Sequence, residues 1–261
     1  AGLLFADPGL NYVLNPYILV RLMAEKAEDL GAVIYEHTPA LSLQETVDGV
    51  LIKTPAAQVR ARKVVVATNP FTIDLKGLPR PIRRSVLPVC QYISSVEFEQ
   101  SPFHNCSAFS DNSTLNYMFG NVDGNSMMVS AGNFEFVASH DPQMQDQAHI
   151  ANKKQLTRRF PDHTFEIGST WPGRIGGSLT SGFLAQTGFI NQRKKIYVSF
   201  IGDGLAMGHY LGRIAAAAVM GDEKSIPSEL MIGREVSLMM AMARMCPRRF
   251  ADLVAPIIYK Y

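Results

Sequence analysis

Lys195-Ile196-Tyr197-Val198-Ser199-Phe200-Ile201 runs into Gly202-Asp203-Gly204-Leu205-Ala206-Met207-Gly208, and His209 to Gly221 follow. An apolar strand, a glycine turn and an alanine-rich helix come in that order. A glycine turn feeding a helix start presents backbone N–H groups that lack intrahelical partners, at the positive end of the helix dipole. Such a place favours phosphate, or the negative charge that appears on a ring system when it is reduced. The same glycines also serve to bring a strand and a helix close together, so the rest of the chain must decide between ligand and packing.

Other chemistries find little support. Cys90, Cys106 and Cys246 are widely spaced and form no C-x-x-C pair, which argues against a disulfide framework or a zinc site and for a reducing compartment. The six histidines show no metal-ligand spacing. There is neither a G-x-S-x-G nucleophile elbow nor a phosphate-binding P-loop. With 25 Lys plus Arg against 23 Asp plus Glu, the formal charge of +2 gives no reason to expect nucleic acid or an anionic membrane as a partner. No apolar run reaches the roughly 18 residues of a membrane span and no signal peptide opens the chain, so a cytoplasmic protein is expected. Its 261 residues, 47% of them apolar, are enough for one large core or two small ones.

Several elements must position the glycine turn. Asn15-Pro16 is a helix start, the apolar stripe Ile18, Leu19, Leu22, Met23, Ala27 and Leu30 follows at helical spacing, and Gly31 stands where the helix should end. Ala32 to Glu36 and Pro39 to Glu45 read as short strands. Asp48-Gly49 turns the chain into a meander over Val50 to Thr54 and Gln58 to Arg62. Lys63-Val64-Val65-Val66-Ala67-Thr68-Asn69 is a run without polar alternation, which predicts an interior strand of a parallel sheet, covered on both faces. Only Ala32 to Glu36 and Lys195 to Phe200 offer themselves as neighbours, so further βαβ units are expected upstream of Ala1. Beyond Pro79, strands are expected over Ser85 to Val96, Asn116 to Phe119 and Met127 to Ala131, a helix over Asp146 to Phe160, an irregular lining segment over Phe165 to Gly188, and a Met-rich helix over Glu229 to Met245.

Four stretches together resemble the FAD-dependent amine and amino-acid oxidoreductases of the D-amino-acid oxidase superfamily, in particular the γ-glutamylputrescine, glycine and sarcosine oxidases. They are Leu14-Asn15-Pro16 with its helix and Thr38-Pro39; Val59 to Asn69, with the ending Ala67-Thr68-Asn69; Trp171-Pro172-Gly173 with Thr180 and Gly188; and Phe200 to Gly204 with Gly212 and Gly221. The resemblance implies non-covalently held FAD, with Thr68, Asn69, Gly202, Asp203, Gly204 and Leu205 against the cofactor. It implies a small amine or amino-acid substrate near Tyr117, Trp171 and Arg174, where Arg174 would pair with a carboxylate. The implied fold is α/β (α+β): a partial FAD-binding domain with a β-meander over 1–78, an antiparallel substrate-binding domain over 79–168, and a return to the FAD domain with C-terminal helices over 169–261. No single catalytic residue stands out.

The chain also departs from the family pattern. The N-terminal G-x-G-x-x-G that cradles the FAD pyrophosphate is absent, so a missing N-terminal segment or a separate chain is expected to supply the nucleotide-binding half. Asp203 replaces the family's histidine, and Ser199 and Ala185 replace a glycine and a proline. A carboxylate beside the flavin pyrimidine would oppose the anionic reduced ring unless it is protonated or turned away. A non-catalytic subunit, or a degenerate homologue that has lost flavin function, therefore stands as the alternative. An unrelated domain whose glycine turn holds another anion is a third reading.

Overall fold

A computed structural model describes residues 15–102, 108–111, 116–120, 125–130, 134–135, 141–177, 185–200 and 204–232. The first helix, α1 (Pro16–Asp29), begins as its sequence predicts: the Asn15 side chain accepts from the backbone N–H groups of Tyr17 and Ile18, and Gly31 takes the left-handed backbone, φ 93°, that ends it. Its apolar stripe has no cover among the described residues. No α1 side chain is buried, and Tyr17, Ile18, Val20, Leu22 and Met23 are exposed. The strand expected over Ala32 to Glu36 does not form; Val33 and Tyr35 are exposed, and no strand among the described residues pairs with them.

The meander follows the sequence: β1 (Ser42–Glu45), β2 (Val50–Lys53) and β3 (Gln58–Ala61) are antiparallel, with the Asp48-Gly49 turn between the first two. The valine run forms β4 (Val64–Val66) and pairs in parallel with β12 (Ile196–Phe200), Val64 opposite Ile196 and Val66 opposite Val198. β11 (Gln186–Phe189) lies antiparallel on the other side of β12. One face of this small sheet meets the meander and the segment after β4, where Leu43, Val50, Leu75, Leu78 and Ile82 close over Val66, Ile196, Val198 and Phe200. The other face is covered by α4 (Gly204–Met220), whose Ala215 and Ala218 pack on Tyr197. β4 is therefore an edge strand and not the interior strand that its composition predicts. Val66 is 3% exposed against the meander, while Val65, on the opposite face, is 41% exposed. α4 is centred on β12 and leaves Val65 uncovered; the described residues contain no strand beyond β4.

The second sheet is antiparallel, in the order β10-β5-β8-β7-β6. These are β10 (Phe165–Gly177), β5 (Leu87–Phe98), β8 (Ser126–Val129), β7 (Asn116–Gly120) and β6 (Ala108–Asp111), and the short β9 (Phe134–Glu135) also pairs with β5. Alternate residues of β5, Cys90, Tyr92, Ser94, Val96 and Phe98, are buried beneath α3 (Pro142–Arg159) or its flanks. The segment expected to be irregular ends in β11, at Gln186 to Gly188, and its first part, Phe165–Gly177, is thus a 13-residue strand. Its glycines and hydroxyl residues hide the alternation that a strand normally displays, and pairing with the whole of β5 decides its structure. Thr180 and most of the expected Met-rich helix lie outside the described residues, while Ser228–Leu230 form a single 3-10 turn. Among the described residues no helix is long and apolar enough to cross a membrane, and no group of acidic, histidine or cysteine side chains could hold a metal ion.

Candidate functional site

Parallel pairing brings the carboxyl ends of β4 and β12 to one end of their sheet, where open α/β sheets present ligand sites. From β4 the chain passes into Thr68 and a 3-10 turn, Asn69–Ile73. The exposed Thr68 hydroxyl shares a 2.9 Å hydrogen bond with that of Thr72, which tightens the turn. Asn69 sits at φ 47°, a left-handed backbone that asparagine tolerates better than most residues and that turns the chain sharply out of the strand.

From β12 the chain reaches α4 at Gly204. Among the described residues, a Cβ built on Gly204 meets nothing within 4 Å, so the helix start is open toward them, and its first turn contains no acidic side chain. Gly202 and Asp203 lie outside the described residues. Leu205 is in α4, and only its backbone is described.

β10 closes the corner. A Cβ on Gly176 would stand 2.7 Å from Asn69 Oδ1 and 3.0 Å from Pro70 N, so only glycine lets the strand approach the turn this closely. Two residues earlier, the Arg174 guanidinium lies 5.6 Å from the centre of the Phe71 ring, a cation–π contact that holds the charge beside the turn. The structure therefore brings Arg174 together with Thr68 and Asn69.

Trp171 is placed differently. It pairs with Ile93 and is separated from Arg174 by an odd number of residues, so the two side chains leave opposite faces of the pleat. Arg174 lies on the side of Cys90, whereas Trp171 shares the half-open face with Ile93 and Gln91. Tyr117 is on β7, opposite Ser110. Two strands, β5 and β8, separate β7 from β10, about 14 Å at the usual strand spacing. Tyr117 and Trp171 are thus not neighbours across a single ladder.

One feature of this region escapes a reading by motif. Gln145, His149 and Asn152 recur at i, i+4 and i+7 on α3 and reach the back of the sheet at Thr170, Ser94 and Val129. The polar spacing was there to be seen, but without the sheet its target is invisible.

These elements, in this order around a strand–glycine–helix turn, match a known family over most of the chain: residues 2–218 match the family described as FAD dependent oxidoreductase. The chain belongs to that family. Among its relatives, the probable oxidoreductase OrdL of Haemophilus influenzae is 29% identical over 224 residues, which cover 83% of this chain and 48% of OrdL. Glycine oxidase from Geobacillus kaustophilus superposes with a TM-score of 0.64 at 18% identity, over 84% of this chain and 58% of its own. NikD, an unusual amino acid oxidase essential for nikkomycin biosynthesis, gives 0.64 at 19% identity, over 84% and 61%. The two structures share the fold, mixed helix and sheet with an antiparallel layer. The chain spans about half the length of the curated relative OrdL.

FAD is the cofactor of this family, and the residues in hand fit one end of it. The open start of α4 can face the electron-rich edge of a flavin, and the Thr68–Asn69 turn borders the same end of the sheet. The dinucleotide end has no counterpart, because no G-x-G-x-x-G occurs in the sequence.

Proposed function

We propose that this chain forms the substrate-facing sheet and the flavin-facing glycine turn of an enzyme that oxidises a C–N bond of an amine or amino acid. In this reading, sequence outside the chain supplies the pyrophosphate cradle, either as an N-terminal segment or as a separate polypeptide. The observation that carries the proposal is the unobstructed start of α4 at the carboxyl end of the β4–β12 pair. The likeness to glycine oxidase and to NikD, an amino acid oxidase, supports amino acids as the substrate class, and kinship with OrdL supports oxidoreductase chemistry.

FAD, when bound, supplies the hydride acceptor, held without a covalent link. The chain's own groups bind and orient. Backbone N–H groups of Gly204 and Leu205, with those of Gly202 and Asp203, would stabilise negative charge on the reduced ring through the dipole of α4. Thr68 and Asn69 would fix the ring's neighbouring edge. Trp171 and Tyr117 would line the open face of the sheet on which the substrate lies, whereas Arg174, whose side chain leaves the opposite face beside Thr68 and Asn69, would pair with a carboxylate only at that corner. The division into 1–78, 79–168 and 169–261 would separate these tasks, except that β10 (Phe165–Gly177) carries the antiparallel sheet past residue 168.

Gly204→Val tests the reading. A Cβ at this position has no described atom within 4 Å beyond its own helix, so the variant should fold with little loss of stability while blocking the approach of a flavin. Flavin co-purifying with the protein from its source should fall at least about tenfold in the variant, a loss of about 1.4 kcal/mol or more in binding. Unchanged retention would remove the glycine turn from the cofactor site.

A further inference from the structure

We infer that Thr170 is a positioning residue that fixes how Trp171 is presented on the open face of the sheet. The inference rests on the reading that this face receives the substrate. β10 shifts register against β5 between Ile167 and Thr170, and pairing resumes at Thr170 opposite Ser94. A bulge is where a strand can slip, and a slip of one residue would turn Trp171 to the other face. Thr170 is held at that point from three directions. Its hydroxyl lies 2.7 Å from Ser94 Oγ and 2.8 Å from His149 Nδ1, and its carbonyl accepts from Gln145 Nε2 at 2.8 Å. Ser94 in turn accepts from Asn152 Nδ2 at 2.8 Å, and both of those residues are fully buried.

The chemistry of the chain of hydroxyls gives it direction. Asn152 Nδ2 can only donate, so Ser94 is free to donate to Thr170 and Thr170 to His149 Nδ1, with the imidazole proton on Nε2. The Asn152, Ser94 and Thr170 donors then each meet an acceptor, and no apolar residue at 170 could complete the series. A helix needs no such seam merely to cover a sheet; Met144, Ala148 and Leu156 already supply apolar contact on the same side. The polar seam meets β10 at one residue, the one immediately before Trp171.

These 261 residues contain a single tryptophan, so their tryptophan emission, excited beyond the tyrosine band, comes from Trp171. Thr170→Val keeps the shape and removes the hydroxyl. In the intact protein it should raise acrylamide quenching of the tryptophan by roughly twofold and shift its emission, whereas Thr170→Ser should restore the wild-type signal. Should Thr170→Val fail to fold, Gln145→Ala, which removes only the helix's bond to the carbonyl, should give a smaller change in the same direction. A folded Thr170→Val or Gln145→Ala protein with wild-type quenching would overturn the inference. In the flavin-containing enzyme, Thr170→Val should raise KM for the amine more than it lowers kcat. Altered quenching with unchanged KM would keep the clamp and reject instead the placement of substrate on this face.

Discussion

Tyr197 shows how one buried side chain ties the small sheet to pH. It is fully buried on β12, packs edge-on against Phe189 and accepts a 2.8 Å hydrogen bond from the Thr187 hydroxyl. Burial pushes the phenol above its ordinary value of 10.0, and the bond from Thr187 offsets part of that rise. A pKa raised on folding means that the native state holds its proton more tightly than the unfolded chain. The stability this represents is complete below pH 10.0 and is lost as pH climbs through the folded-state value. Tyr197→Phe should therefore lower stability at neutral pH, by about 1–3 kcal/mol for the orphaned Thr187 hydroxyl, yet flatten the alkaline decline. Urea titrations of both proteins between neutral and strongly alkaline pH would show this; equally steep declines would contradict it.

At the scale of elements, some were legible because their signals are local. The Asn15 cap, the Asp48-Gly49 turn and the alanine-rich helix after the glycine turn each depend on residues a few positions apart, and each forms where the sequence places it. β10 was not legible, because glycine, serine and threonine give no alternation and its structure comes from β5, about 75 residues earlier. The corner joining Gly176 to Asn69 was hidden for the same reason: motifs marked Asn69 and Arg174, but nothing local links them. α1 poses the opposite case, a helix with clear signals and no packing among the described residues. A 14-residue helix that buries no side chain is marginal by itself. Amide exchange should find α1 nearly unprotected in a polypeptide of residues 1–261 and protected once the complementary half is present. Strong protection in residues 1–261 alone would mean that the cover comes from within the chain.

For the whole molecule, the uncovered surfaces lie close together in sequence. The bare face of α1 and the exposed Val65 on the outer strand belong to the segment before the antiparallel sheet, and the dinucleotide cradle is the part of the family pattern that this sequence lacks. The valine run was correctly read as a strand of a parallel sheet. Among the described residues it stands at the outer side of that sheet; the sequence marks a strand as suited to burial without showing what buries it. What the described residues do assemble is the start of α4 at Gly204, a sharp asparagine turn and an arginine at one end of a sheet, beside an antiparallel layer with an open face. The central claim is that this assembly serves amine oxidation by a bound flavin. The most direct test is to mix the protein from its source, without oxygen, with a panel of amines and amino acids while following the visible absorption of flavin. The account predicts a yellow protein that bleaches with at least one of them; a protein without flavin, or a flavin that none of them reduces, would contradict it.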